Sequence, residues 1–356
     1  MLVGYYPLIR GGAEQQAHLI ASYLRNSYDV FFISIGHESD QMLLDNGYKI
    51  YAIKPIQLAG NKMYFLARGK ILNILKHEKP DFIYQAVSYS ATGIAAEYCK
   101  NAGSKLIWHI ASDRDVAPSK FGRGQKGLFY FIEDKYAEYG KRHAAYIIAQ
   151  TEQQKQTFFA NYRRTCDIIL RNFHPVPEDI IKKQLPFKVT WIANIKKLKQ
   201  PEIFIKLCHE LRHKKDVNFL MIGRKGPSVY QNQLNFQIRT CDNLNFLGEL
   251  DIEEVNRILA ESHIFVNTSL YEGFPNTFIQ AWMRQVPVVS LNVDPDGILC
   301  RQRIGFHSKT FDQMLQDVVR LIEDEPLRLD MGERARSFAE KEFSMRNLEM
   351  ILPFFR

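Results

Sequence analysis

The stretch from Asn267 to Gly297, with the apolar run just before it, constrains the fold of this chain more than any other. His263-Ile264-Phe265-Val266 reads as a buried strand. A polar turn, Glu272-Gly273-Phe274-Pro275, leads to a helical pattern from Phe278 to Met283, with Asn276 or Thr277 placed as an N-cap. A second apolar strand, Val286–Ser290, follows at once. Strand, glycine turn, helix and strand in that order form the unit of a parallel sheet. The turn then sits at the carboxyl end of a strand, with the free N–H groups of the next helix pointing at it. Open α/β sheets bind phosphorylated ligands at such places. The plainer alternative is one more βαβ unit in which Gly273 only serves the turn. A charged Glu272 at that point is an odd choice for structure alone.

The same alternation runs through the chain. A length of 356 residues suits two domains. Met1–Tyr6 is a thin first strand, short enough to suggest that it begins upstream of Met1. Gly11-Gly12 precedes a helical stretch from Gln15 to Leu24, where two glycines let backbone approach a ligand and a helix start favours an anion. Gly-Gly before a helix is also an ordinary turn. Strands are expected at 30–35, 49–53, 81–85, 105–110 and 146–150, with helices at 62–77, 90–101 and 152–160. No Gly-x-Gly-x-x-Gly occurs, which argues against a dinucleotide cofactor. The boundaries read as a first domain over 1–175, a Pro-rich linker over 176–186, a second domain over 187–341 and a final helix over 342–356. In the second domain strands are expected at 188–193 and 217–222, and helices at 202–211, 252–261, 311–324 and 326–341.

Composition excludes several classes. Hydrophobic residues make up 46% and charged residues 24%, as in a globular protein, and no run of about 18 apolar residues could span a membrane. The start lacks the pattern of a secretory signal. Five scattered cysteines show no metal or redox spacing, so reduced thiols in the cytoplasm are expected, without a structural zinc. Residues 1–175 carry 22 Lys/Arg against 15 Asp/Glu, and the remainder 25 against 24. A basic first half suits an anionic partner such as a membrane surface or a phosphorylated acceptor, or it only aids solubility. No nucleic-acid motif accompanies it. Between 119 and 143, Lys120, Arg123 and Lys126 surround Phe121, Phe129, Tyr130 and Phe131. That mixture fits a lipid headgroup layer, or a loop and a helix whose aromatics face the core.

Together these residues resemble the family-4-type retaining glycosyltransferases, whose fold is GT-B. The likeness covers essentially the whole chain and is strongest over 188–297. It implies an α/β architecture of two Rossmann-like, doubly wound parallel-sheet domains facing across a cleft. The second would bind a nucleotide sugar and the first a saccharide or lipid-linked acceptor. In the family's donor signature, Glu272 matches the first Glu, with the backbone of Gly273, Phe274, Pro275 and Asn276 beside it. The second Glu, eight residues on, would accept both ribose hydroxyls, and here that position holds Gln280. A neutral amide makes a weaker bond there than a carboxylate. Lys199 matches the family's phosphate lysine, while its arginine position holds Asn194, so Lys196 is expected to supply the charge. The same lysine cluster could simply be solvated. Gly223 and Arg224 form a further strand-end turn, and Leu247 falls where backbone holds the base. Gly11 and Gly12 match the loop between donor phosphate and acceptor. His109 matches a cleft-lining histidine that contacts the donor sugar, although a lone His near a strand end is often structural. Asp113 and Asp115 stand near the acceptor side.

The implied reaction is transfer of a sugar from a nucleoside diphosphate with retention, without metal or other cofactor, in cell-surface polysaccharide synthesis. The enzyme would act in the cytoplasm, peripherally on the inner membrane face. His109 and Glu272 would orient rather than react. Two alternatives stay open: a silent, membrane-associated partner subunit, and a nucleotide-sugar 2-epimerase.

Overall fold

Short parallel strands separated by helices dominate the computed structural model, which describes residues 1–58, 61–118 and 128–356. The chain divides into two compact units, 1–172 with 347–356, and 173–346.

In the first unit, α1 (Gly12–Leu24) leads to β1 (Phe31–Ile35), β2 (Gln41–Asp45) and β3 (Tyr48–Ile53). A small hairpin, β4 (Ile56–Leu58) and β5 (Asn61–Met63), precedes α2 (Arg68–Glu78). Then come β6 (Phe82–Ala86), α3 (Ser90–Ala102), β7 (Lys105–His109), α4 (Leu128–His143), β8 (Tyr146–Ala149), α5 (Glu152–Tyr162) and β9 (Ile168–Ile169). β1 and β3 pair in parallel, β2 adds to β3 antiparallel, and β6-β7-β8-β9 form a parallel sheet. The expected first strand is reduced to a bridge. Leu2 pairs with Ile33, Ile33 N donates to Met1 O (2.8 Å) and Leu2 N donates to Tyr84 O (2.8 Å), so Met1 and Leu2 join β1 to β6.

Three further expectations need correcting. The helix over 62–77 begins only at Arg68, because residues 61–63 form β5 and Tyr64–Ala67 a 3-10 turn. The last segment, Met345–Phe355, is 3-10 rather than α; it carries Pro353, which has no N–H to give. Its aromatics dock in the first unit, with Phe355 against Tyr28 and Phe82 at centroid distances of 5.8 and 5.4 Å. Thirdly, Pro275 rather than Asn276 or Thr277 occupies the N-cap of the helix after Glu272, so no side chain caps it. The expected lipid-facing residues Lys120, Phe121, Arg123 and Lys126 lie outside the described residues, as does the Phe129 side chain. Among the described residues no helix is long and apolar enough to cross a membrane.

The second unit is one six-stranded parallel sheet in the order β12-β11-β10-β13-β14-β15. Its elements are β10 (Phe187–Ile192), α6 (Pro201–Glu210), β11 (Val217–Ile222), α7 (Ser228–Arg239), β12 (Leu244–Gly248), α8 (Ile252–Glu261), β13 (Ile264–Asn267) and α9 (Asn276–Trp282). They continue with β14 (Val288–Ser290), α10 (Ile298–Gln302), β15 (Gly305–His307), α11 (Phe311–Glu323) and α12 (Glu325–Glu342). Alternate residues of β13 enter two cores. Ile264 and Val266 pack with Trp191, Phe204 and Phe219, while Phe265 packs with Phe278 and Trp282. A period of two with both sets buried is a sheet covered on both faces. That explains why β13 reads as a continuous apolar run.

Close backbone contact fixes one helix pair of the first unit. A Cβ on Gly93 of α3 would lie 2.1 Å from the Tyr136 carbonyl oxygen, and one on Gly140 of α4 would lie 2.5 Å from the Thr92 carbonyl carbon. Neither site accepts a methyl group without the helices separating. Gly93→Ala should therefore destabilise the protein by about 1–3 kcal/mol, the usual cost of overpacking. Urea unfolding checks it, and a midpoint equal to that of the wild type would contradict the packing.

Candidate functional site

The strand order of the second unit reverses between β10 and β13, since β10 leads outward to β11 and β12 while β13 leads to β14 and β15. Open α/β sheets bind ligands in the crevice at the carboxyl ends of the strands at such a switch point. Two expected site loops leave the sheet there. The loop after β10 carries Asn194, Lys196 and Lys199, and the loop after β13 carries Glu272.

The structure ties these loops together. Trp191 Nε1 donates to Thr268 Oγ1 (2.9 Å), and that hydroxyl donates to the Lys199 carbonyl (2.6 Å). Leu270 N donates to Leu198 O (2.9 Å). The Lys199 ammonium then meets Glu272 Oε2 at 2.8 Å, with both side chains about a fifth exposed (20% and 18%). The other carboxylate oxygen, Oε1, accepts from Ser269 Oγ (2.6 Å) and Asn267 Nδ2 (3.0 Å). Lys199 is the last residue of a 3-10 turn (Lys197–Lys199) and stands two residues before α6, which starts at Pro201. Lys196 and Lys197 are exposed on the same turn.

A third loop joins them at the end of β11. Gly223 N donates to Gly248 O (2.8 Å), and Ile195 N donates to Arg224 O (2.9 Å). The Asn194 side chain accepts from Arg224 N (3.3 Å), so this residue binds two loops rather than standing free. Gly223 has φ +155°, and a Cβ there would sit 1.8 Å from the Ala193 carbonyl oxygen. Only glycine lets β10 and β11 end so close together. Arg224 is exposed, and Leu247, near the end of β12, is 40% exposed.

On α9, Gln280 is buried at 3% exposure, and its Nε2 donates to Asn256 Oδ1 of α8 (3.0 Å). Phe274 is a core residue at 5% exposure, its ring 4.9 Å from that of Phe343. Phe274 and Pro275, both buried, present no exposed side chain, while Gly273 and Asn276 are half-buried.

The remaining expected residues lie in the first unit. Gly11 is the extended N-cap of α1 (φ −163°, ψ 164°), Gly12 is the first helical residue, and the Glu14 side chain folds back over Gly11. His109 ends β7 at 2% exposure, with Nδ1 2.7 Å from the Tyr84 hydroxyl. Burial lowers its pKa to about 4, while the Leu170 backbone pulls it up slightly. The carboxylate of Asp115 is filled by three backbone donors, Ser88, Ala111 and Ser112, at 3.0 Å each. Burial raises its pKa, and it braces the loop after β7. Asp113, half-buried, accepts from Gln154 Nε2 (3.1 Å).

The sequence reading passed over Asn267, Thr268, Ser269 and Asn256. The available signal was three consecutive polar residues closing an apolar strand, all of them buried (4%, 0% and 1% exposed). Burying such groups is costly unless each finds a partner.

The histidine supports a pH prediction. Folded His109 titrates near 4, against 6.5 for an unperturbed His. Above pH 6.5 it is neutral in both states and has no effect. As pH falls towards 4 the unfolded chain takes up the proton first, so stability falls. Between pH 7.5 and 5, the wild type should lose about 2 kcal/mol more than His109→Gln does. Urea unfolding at both pH values measures this; equal losses would contradict a buried neutral ring.

The chain also matches known proteins in sequence and in fold. Residues 186–324 match the family described as Glycosyl transferases group 1. An uncharacterized glycosyltransferase of Haemophilus influenzae is 22% identical over 347 residues, covering 93% of this chain and 92% of that protein. Among solved structures, Anabaena HepE in complex with UDP and glucose superposes with a TM-score of 0.75 at 16% identity, covering 99% of this chain and 98% of that one. WaaG, described as a glycosyltransferase involved in lipopolysaccharide biosynthesis, superposes with a TM-score of 0.72 at 15% identity, covering 98% of each chain. On these matches residues 186–324 form a glycosyltransferase group 1 domain, and the chain is similar to family-4-type glycosyltransferases and has the GT-B fold.

Proposed function

We propose that the protein transfers a sugar from a nucleoside-diphosphate donor to a saccharide or lipid-linked saccharide acceptor, with retention at the anomeric carbon, in building a cell-surface polysaccharide. The observation that carries this reading is the 2.8 Å contact of Lys199 with Glu272 at the switch point of the sheet. An ammonium suited to a diphosphate and a carboxylate suited to sugar hydroxyls stand side by side, as a donor with adjoining phosphate and sugar would require. HepE, solved with UDP and glucose, and WaaG, described in lipopolysaccharide synthesis, support the donor and the pathway class.

The leaving group is a nucleoside diphosphate, so the reaction builds negative charge on phosphate oxygens. Lys199, with Lys196 and Arg224, meets that charge, and preformed cations at the developing charge lower the barrier. Glu272 accepts hydrogen bonds from the sugar, with the backbone N–H groups of Gly273, Phe274 and Asn276 in the turn beside it. Gln280 and the Leu247 backbone take the nucleoside. The Gly11–Gly12 loop serves the donor phosphate, His109 the donor sugar and Asp113 the acceptor, while Asp115 braces the loop after β7. Attack from the leaving-group face accounts for retention without an enzymic nucleophile. The basic first half suits work at an anionic inner membrane face.

UDP-glucose, UDP-N-acetylglucosamine and GDP-mannose serve as donor probes. At least one should raise the melting temperature, because a ligand that binds only the folded state stabilises it. No shift with any of them would contradict the reading. With the preferred donor, Glu272→Ala should lower turnover at least about 100-fold while the protein stays folded. Lys199→Ala should weaken nucleoside diphosphate by about 1.5–3 kcal/mol and nucleoside far less, since its ammonium meets charge only on phosphate. The unpaired Glu272 left behind adds repulsion. Wild-type diphosphate affinity in Lys199→Ala, measured by calorimetry, would remove the phosphate loop from the account.

A further inference from the structure

Glu272 does not hold its position by its own rotamer alone. Its Oε1 is bound twice from within the protein, by the Ser269 hydroxyl at 2.6 Å and the Asn267 amide at 3.0 Å. Oε2 turns the other way, to the Lys199 ammonium at 2.8 Å. The two donors are themselves fixed. Asn267 is the last residue of β13, and its Oδ1 accepts from Ser269 N (3.1 Å) while its Nδ2 also reaches Ser269 Oγ (3.4 Å). The Ser269 carbonyl accepts from Asn292 Nδ2 (3.2 Å), which anchors the turn to the chain beyond β14. Asn267 and Ser269 are 4% and 1% exposed, so they are covered and act on a ligand only through Glu272.

We propose that Ser269 and Asn267 are positioning residues for sugar recognition: they hold one oxygen of Glu272 and thereby present the other. This rests on the reading of Glu272 as the group that meets the donor sugar. The chemistry is that of a carboxylate with one oxygen saturated by internal donors. When a diphosphate draws the Lys199 ammonium, Oε2 is left aimed outward with its lone pairs free for a sugar hydroxyl. The carboxylate cannot rotate to follow the lysine, because rotation would break both bonds to Oε1. A hydrogen bond to a charged acceptor is among the stronger ones, and its donor is buried, so the arrangement is held before substrate arrives. A turn that needed only stability could end β13 with apolar residues, which require no partners.

The test separates a positioning role from a merely structural one. Affinities for UDP, UDP-glucose, UDP-N-acetylglucosamine, GDP and GDP-mannose are measured by calorimetry in the wild type, Ser269→Ala, Ser269→Thr and Glu272→Gln. Ser269→Ala should weaken the preferred nucleotide sugar about tenfold or more while leaving its nucleoside diphosphate within about twofold of the wild type. Ser269→Thr, which keeps the hydroxyl, should restore the sugar-dependent part. If Ser269→Ala weakens nucleotide sugar and diphosphate together, the serine only holds the loop, and the proposal falls. It also falls, with the site reading intact, if Glu272→Gln weakens the nucleotide sugar and Ser269→Ala does not. If Glu272→Gln leaves that affinity unchanged, the reading of the site fails and the proposal with it.

Discussion

The arrangement of the second unit depends on the ion pair between Lys199 and Glu272, which joins the loop after β10 to the loop after β13. Each side chain is only about a fifth exposed, so neither charge is fully solvated. A pair of this kind adds little net stability, but losing one partner leaves the other charge uncompensated. Its value lies in geometry. The strand order reverses between β10 and β13, and the two loops that flank the reversal are linked by the pair and by the Trp191–Thr268–Lys199 chain of hydrogen bonds. The Lys199 ammonium and the Glu272 carboxylate are therefore held together before any ligand is present, as electrostatic preorganisation requires.

Around that pair the sheet supplies a rigid floor. Both faces of β13 are buried, and the end of β11 is pressed against the end of β10 at Gly223. The polar residues at the strand ends are not waste: Asn194 binds the Arg224 amide, Thr268 binds Lys199, and Asn267 and Ser269 bind Glu272. In the first unit the same economy appears at Asp115, whose buried carboxylate holds three backbone amides of the loops beyond β6 and β7. His109, at the end of β7, is likewise buried, as a neutral ring against Tyr84.

Much of the second unit was legible because its strands are continuous apolar runs bounded by glycine turns. Val217–Ile222 and Ile252–Glu261 stand where periodicity placed them. In the first unit the signal was weaker. β2 alternates exposed and half-buried residues as an antiparallel edge strand, and β4 and β5 are three residues each, too short to register as a pattern. Lys199 and Glu272 stood out because a charge at a strand-end turn has no structural need. Their pairing did not, because it joins residues 73 positions apart through a strand order that local sequence does not encode. Gln280 was legible as a departure from the family signature, whereas its bond to Asn256 was not. Asp115 and Asn194 read as ligand contacts; their bonds to the Ser88 and Arg224 amides were not legible, because these join loops distant in sequence.

If Glu272 holds Lys199 until a diphosphate takes it, then removing the carboxylate frees the ammonium and removes a repelling charge. Calorimetric titration of Glu272→Ala with a nucleoside diphosphate and with the matching nucleotide sugar tests this most directly. The account predicts tighter binding of the diphosphate than in the wild type, by about 1 kcal/mol or more, together with loss of the extra affinity that the sugar confers. Weaker binding of the diphosphate in this variant would contradict it, because Glu272 would then be supporting the phosphate site rather than competing with it.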